Sequence, residues 1–229
     1  MKLFLKIPLI LIIISLLISA CIPSFKPKII IPLFDEESGK WGFMDTKNEW
    51  VIKPQYEHAH VFSEGLAGVK TSTAWGFIDI NNTFVISPQY EVAYPFSDGL
   101  AAIRQDFKWG FINKKGEYIL HPAYEHAQSY SEGLGLIQDK DEWVFIDNSG
   151  KPAFEVRFEE ANPFSEGLAA VRVGCCLWGY INPKGELAIK PQFEEAGFFQ
   201  KGVANVVIDG KQNLIGKNGG FVTQTTPSP

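Results

Sequence analysis

The sequence predicts an all-β protein, an array of about six near-copies of a 34-residue unit folded as β-meanders. Three observations carry this. Tryptophans stand at Trp41, Trp75, Trp109, Trp143 and Trp178, at intervals of 34, 34, 34 and 35 residues. The glycines of a Ser-Glu/Asp-Gly-like turn, Gly65, Gly99, Gly133, Gly167 and Gly202, keep the same step, as do Tyr56, Tyr90, Tyr124, Phe158 and Phe193 in a Pro-x-aromatic-Glu element. The segments between are rich in β-branched and aromatic residues. A period of this length marks a repeat architecture in which one unit cannot bury its apolar face alone and stacked neighbours share a core.

Each unit reads as three short strands. In the second copy Leu66–Lys70 leads to Trp75–Ile78, a further turn leads to Phe84–Ser87, and Pro88-Gln89-Tyr90-Glu91 begins the connection to the next glycine turn. The turn after the tryptophan strand begins with Asp45, Asp79, Asn113, Asp147 or Asn182, and three residues later come Asn48, Asn82, Gly116, Gly150 or Gly185. Asp or Asn opens a type I turn by accepting backbone N–H bonds, and Gly or Asn supplies the left-handed residue that completes a bulged hairpin. Large apolar residues on both faces of the tryptophan strand predict burial on both. The glycine after the tryptophan suggests close approach by a neighbouring unit, although Val144 and Asn213 occupy that position in two copies.

One added residue within Gly174-Cys175-Cys176-Leu177 explains the single interval of 35, and Gln212 falls where a sixth tryptophan is due. The sixth copy is therefore degenerate, as terminal caps are. The repeat domain spans 29–222, followed by a polar, proline-ended tail at 223–229 expected to be disordered. An open array of meanders is the favoured architecture. A small β-propeller is the alternative, which needs a fourth strand per unit; the segment Tyr56–Ala59 and its equivalents could supply it.

Ahead of the repeats, Lys2 and Lys6 precede an uncharged, mostly apolar run from Ile7 to Ile22, a signal-peptide pattern. Sixteen residues at ~1.5 Å rise cover only about 24 Å, short of a ~30 Å hydrocarbon core, which disfavours a permanent span. Ile18-Ser19-Ala20-Cys21 places small residues immediately before a cysteine and resembles the lipobox of bacterial lipoproteins. That resemblance implies cleavage between Ala20 and Cys21 after a signal peptide of residues 1–20, with diacylglycerol on the Cys21 thiol and commonly an acyl chain on its amine. Two or three chains anchor a protein stably where one does not. Residues 21–28 then form a short lipid-anchored spacer stiffened by two prolines. Ile22 after the lipidated cysteine implies, by the same resemblance, compatibility with delivery to the outer membrane or cell surface where the host has two membranes.

The 229 residues are 45% hydrophobic and 21% charged, with a formal net charge of −5 that becomes more negative once Lys2 and Lys6 are removed. No nucleic-acid partner is expected, because phosphate neutralisation needs a basic surface. His58 and His60 share one face of a strand, but the next copy offers Val92 and Tyr94 in their place, so no metal is expected and these are read as surface positions. Glu57, Glu91, Glu125, Glu159 and Glu194 recur beside the same aromatic residue, and their expected work is bonding turn amides rather than acid–base chemistry. Cys175 and Cys176 read as a structural or incidental loop, Trp50 and Tyr130 as extra aromatics able to stack on a sugar or anchor a partner. No catalytic residue and no cofactor is expected.

Lys40-Trp41-Gly42-Phe43, Lys108-Trp109-Gly110-Phe111-Ile112-Asn113-Lys114-Lys115-Gly116, Lys53-Pro54-Gln55-Tyr56-Glu57 and Phe164-Ser165-Glu166-Gly167-Leu168-Ala169 together resemble the WG, or KWG, repeat of bacterial proteins. The resemblance implies an all-β array, often secreted or membrane-attached, with a binding or scaffolding role and no catalytic residues to carry over. The expected function is that of a lipid-anchored, non-enzymatic protein of the bacterial envelope, held to the membrane by its anchor and offering a surface to a protein partner. A carbohydrate- or peptidoglycan-binding module is the alternative.

Overall fold

Hydrogen-bonded turns between short β-rich segments leave each unit one way to close, a sheet whose strands follow chain order. The computed structural model describes residues 29–174 and 176–222. The signal peptide, Cys21, the spacer, Cys175 and the tail at 223–229 lie outside the described residues. Among the described residues there are 21 strands in six antiparallel sheets and no helix. Sheet 1 contains β1 (Ile30–Asp35), β2 (Lys40–Asp45) and β3 (Trp50–Tyr56). Sheet 2 contains β4 (His58–Ala59), β5 (Ala67–Lys70), β6 (Trp75–Ile78) and β7 (Phe84–Tyr90). Sheet 3 contains β8 (Val92–Ala93), β9 (Leu100–Gln105), β10 (Lys108–Asn113) and β11 (Tyr118–Tyr124). Sheet 4 contains β12 (His126–Ser131), β13 (Leu134–Asp139) and β14 (Glu142–Ile146). Sheet 5 contains β15 (Glu160–Ala161), β16 (Ala169–Arg172), β17 (Trp178–Ile181) and β18 (Leu187–Phe193). Sheet 6 contains β19 (Glu195–Ala196), β20 (Val203–Ile208) and β21 (Lys211–Gly216).

The unit therefore differs from the three-strand reading in two ways. The third strand runs on through Pro-Gln to the aromatic, so Pro88 and Gln89 lie inside β7, and a short fourth strand follows one residue later at the head of the next sheet. Sheets 2, 3 and 5 thus have the four strands that the propeller alternative requires. Extensive packing between strands of different sheets runs only from one sheet to its successor. Five buried clusters fill the five junctions. Phe77, Tyr90, Phe96, Ile103 and Ile112, for example, join sheets 2 and 3, and Phe111, Tyr130, Ile137 and Ile146 join sheets 3 and 4. Since each cluster draws on two sheets, a lone unit loses half of every core it belongs to.

Polar pins at the repeat spacing reinforce these junctions. The Ser63, Ser131 and Ser165 hydroxyls donate to the carbonyls of Phe96, Phe164 and Phe199 at 2.6, 2.7 and 2.7 Å. The amides of Gly99, Gly133, Gly167 and Gly202 donate to the carboxylates of Glu64, Asp98, Glu132 and Glu166, one repeat earlier, at 2.8–3.1 Å. The sequence pointed to a left-handed glycine in this turn, and Gly65 does have φ 91°, but Glu64 is left-handed too, at φ 51°, with Ser63 bridged to Leu66. Two left-handed residues in a two-residue hairpin disfavour glutamate on backbone grounds. The reach of its carboxylate to the next repeat's amide accounts for its presence. The series ends at Lys201, which has no carboxylate to offer a further unit.

The glycine after each tryptophan corrects a second expectation. A Cβ on Gly76 would lie 2.7 Å from both the Ile86 carbonyl oxygen and the Pro88 nitrogen, and Gly42, Gly110 and Gly179 meet the equivalent backbone. The close approach is by the strand that follows the tryptophan strand in the same sheet, β7 in sheet 2, which bulges across the glycine, and not by a neighbouring unit. Val144 and Asn213 belong to sheets 4 and 6, the two that lack this strand. In sheet 4 it is replaced by an irregular segment that touches β14 through the Ile146–Pro152 and Trp143–Phe158 bridges.

Candidate functional site

The predicted repeat features recur with little change in the first, second, third and fifth copies, whereas the fourth departs from them in adjacent places, and a groove opens there. Position 128 is glutamine where the preceding copy has Tyr94, and Ser129-Tyr130 stands for Pro95-Phe96. With serine in place of proline, the first strand of sheet 4 runs for six residues across an irregularity, against two in β4, β8, β15 and β19. Between sheets 3 and 4 lies a groove of about 720 Å³. Tyr94, stacked on Trp109 at 5.2 Å, forms one side. His126, Gln138 and Trp143, a row of cross-strand partners on sheet 4, form another, and β12 from Ala127 to Ser131 runs along it between Pro95 and Pro163. No Asp, Glu, Lys or Arg lines it. In the second copy the corresponding space is occupied: His60 stacks on Trp75 at 4.5 Å and His58 on Trp41 at 5.0 Å.

Tyr130 supports the groove from beneath. It is 2% exposed, packs edge-on against Phe111 at 4.9 Å and donates its hydroxyl to the Asp147 carbonyl at 2.8 Å. Burial, with the Asp147 charge second, pushes the phenol far above its ordinary pKa, so it remains a donor at any physiological pH. Its ring occupies the space of a side chain at Gly135, where a Cβ would come within 2.6 Å. The copies with Phe96 and Phe164 have Ala101 and Ala169 there instead. The expectation that Tyr130 is a surface aromatic is thus overturned: the phenol costs more to bury unbonded than bonded, and the turn carbonyl satisfies it. Trp50 is half-buried opposite Met44.

The remaining candidates are placed as follows. Trp41, Trp75, Trp109, Trp143 and Trp178 lie in β2, β6, β10, β14 and β17, buried or half-buried. His58 is exposed, but His60 is half-buried between His58 and Trp75, and burial followed by the His58 charge lowers its pKa; a plain surface reading does not hold for it. Among the described residues no group of three or more His, Cys, Asp or Glu side chains is placed to hold a metal. Of the five recurring glutamates, Glu91 and Glu194 accept bonds from the Phe107 and Gly210 turn amides, whereas Glu57, Glu125 and Glu159 pair with Lys40, Lys108 and Arg172. Cys176 is exposed in the one-residue insertion between β16 and β17, which does not line the groove.

Sequence reasoning missed Tyr94, Gln128, Ser129 and Gln138 as groove residues. The available signal was the simultaneous loss of the 94-95-96 pattern at 128-129-130. Comparison with known proteins agrees with the repeat reading. The sequence pattern of the WG containing repeat matches five times, over residues 41–72, 75–109, 109–143, 145–174 and 178–211. No curated protein matches the chain. Among solved structures, a eukaryotic initiation factor superposes with a TM-score of 0.57 at 12% identity, over 86% of this chain and 63% of that one. Hsv2 of Kluyvelomyces marxianus gives 0.50 at 8% identity, over 78% and 70%. The WD40 β-propeller domain of Doa1 gives 0.43 at 13% identity, over 83% and 77%. The chain spans less than two thirds of the initiation-factor structure, and at these identities the likeness is one of fold, an array of propeller-like sheets.

Proposed function

This chain belongs to the family of WG-containing repeat proteins, and from that premise we propose that it is a lipid-anchored, non-enzymatic scaffold of the bacterial cell envelope that docks a protein partner in the groove between sheets 3 and 4. The observation that carries the reading is the groove itself: aromatic, free of Asp, Glu, Lys and Arg, and built where the repeat departs from its own pattern. A pinned, repetitive framework bearing one irregular concave surface suits recognition, since anchoring residues held rigidly lose little conformational freedom on binding. The lipobox resemblance at Ile18-Ser19-Ala20-Cys21 supports the membrane address.

Pull-down from detergent-solubilised envelopes tests it. A partner should be recovered by the parent chain and lost with the groove variant Trp143→Ala; recovery of the same proteins by both contradicts the docking site. Intact mass tests the anchor, with loss of residues 1–20 and added acyl mass as the expected result. A second reading, a carbohydrate-binding surface, is favoured by the stacked Tyr94 and Trp109 rings beside Gln128 and Gln138. Co-sedimentation with purified cell wall at moderate salt separates the two, because retention in the supernatant counts against a glycan ligand.

A further inference from the structure

We infer that β12 is a docking edge, to which an extended, uncharged peptide segment of the protein partner adds as a further strand of sheet 4. The inference rests on the reading of the groove as a protein-binding surface and specifies how it binds. β12 is the first strand of its sheet and pairs on one side only, with β13. An unpaired strand edge is a template for another chain, and folded proteins ordinarily blunt such edges. The other edges here are blunted. β3, β7, β11 and β18 carry Pro54, Pro88, Pro122 and Pro191, β1 carries Pro32, and β4, β8, β15 and β19 are two residues long. β14 is covered by the bridges from Pro152 and Phe158, and β21 by the bridge from Phe221 and by its own Lys211. β12, with the sequence His126-Ala127-Gln128-Ser129-Tyr130-Ser131, has six residues with one register irregularity between Gln128 and Ser131, carries no proline and no lysine, and Ser129 supplies a backbone N–H where Pro95 and Pro163 have none.

The setting of this edge fixes the class of occupant. A segment entering a groove without Asp, Glu, Lys or Arg would leave its own charges desolvated and unpaired, so a neutral segment is matched and a charged one is not. Main-chain bonds along β12 give affinity without regard to side chain. Alternate side chains of the added strand meet the aromatic and amide lining, which supplies selectivity.

The test uses the purified full-length chain in detergent and a phage-displayed library of linear 12-residue peptides. Selected peptides should be neutral and extended. N-methylation at alternate residues should weaken binding at least tenfold in one phase of the alternation and not the other, and both Trp143→Ala and the milder Gln128→Lys should lower affinity at least tenfold. Peptides that bind in the groove yet tolerate N-methylation in both phases overturn strand addition while leaving the protein-binding reading standing. Failure to select any groove-dependent peptide overturns the inference, and if chitohexaose or cellohexaose then binds in a Trp143-dependent way the protein-binding reading falls with it.

Discussion

Sheets 3 and 4 are neighbours written in the same 34-residue pattern, and they solve the same packing problem differently. In sheet 3, Gly110 lets β11 bulge across β10 through Pro122, Tyr94 covers Trp109, and the first strand stops before Pro95. In sheet 4, Val144 fills the glycine position, Val156 stands where the proline is due, the third long strand is lost, and the first strand is extended. The glycine and the proline strand thus form one device: where the strand goes, the need for glycine goes with it. The groove follows from the other half of the same departure, since glutamine and serine at 128 and 129 leave uncovered the surface that tyrosine and proline cover one repeat earlier.

The strongest way to break this comparison is to transplant the sheet 4 residue into sheet 3. Gly110→Val sets a branched side chain against the Leu120 carbonyl oxygen, with its Cβ 2.7 Å from the Pro122 nitrogen. Destabilisation of about 3 kcal/mol or more is expected, with amide protection lost across Tyr118–Tyr124. Val144→Ala should cost about 2 kcal/mol as an ordinary core truncation, with no strand lost. Denaturant unfolding with hydrogen exchange reads both; equal behaviour of the two sites would refute the device.

A second comparison sharpens the support beneath the groove. Gly135→Ala should destabilise by about 1–3 kcal/mol through collision with the Tyr130 ring. Adding Tyr130→Phe, which recreates the pairing of Phe96 with Ala101, should recover part of that loss. A double-mutant cycle showing strict additivity would mean that the two positions are not coupled.

Smaller effects come from titration. Glu64 is held below the usual carboxylate range by the Lys114 ammonium at 2.9 Å, with the Gly99 amide contributing, despite some burial. A depressed carboxyl contributes stability that is present above its unfolded value and lost as pH falls through the folded one. Glu64→Gln should therefore flatten the acid limb of the stability profile below about pH 4.5. His60 has the opposite charge type and the same direction of dependence. Its native form favours the neutral ring, so its contribution is complete above about pH 6.5 and declines as pH falls through that value towards the lower folded one. His60→Gln should remove a shallow slope between pH 7 and 5, read from thermal unfolding at fixed ionic strength; an unchanged slope assigns the dependence elsewhere.

What could be read in advance was whatever recurs. The Asx turns are an instance: the Asp45 and Asn113 side chains accept from the amides two and four residues on, and Asn48 and Gly116 are left-handed. Local turn chemistry of this kind depends on a few adjacent residues. The fourth strand was harder to see, because two residues such as His58-Ala59 have no periodicity of their own and are fixed by pairing with Lys70 and Val69. The glycine beside the tryptophan is legible as a point of close approach, but its partner strand is not, since a single sequence does not say which backbone comes close. The carboxylates of Glu64, Asp98, Glu132 and Glu166 are not legible as acceptors, because their partners lie 35 or 36 residues away. The groove was hidden for the reverse reason: it consists of exceptions, and exceptions in a repeat are visible only against the packing that the other copies share.

The departures at 128 and 129 create the groove, and a crystal structure of the double variant Gln128→Tyr, Ser129→Pro is the decisive measurement. The account predicts an intact fold with the new tyrosine ring stacked on Trp143, as Tyr94 stacks on Trp109, the cavity filled, and β12 cut back to two residues. A variant that keeps the open groove and the six-residue strand would contradict it.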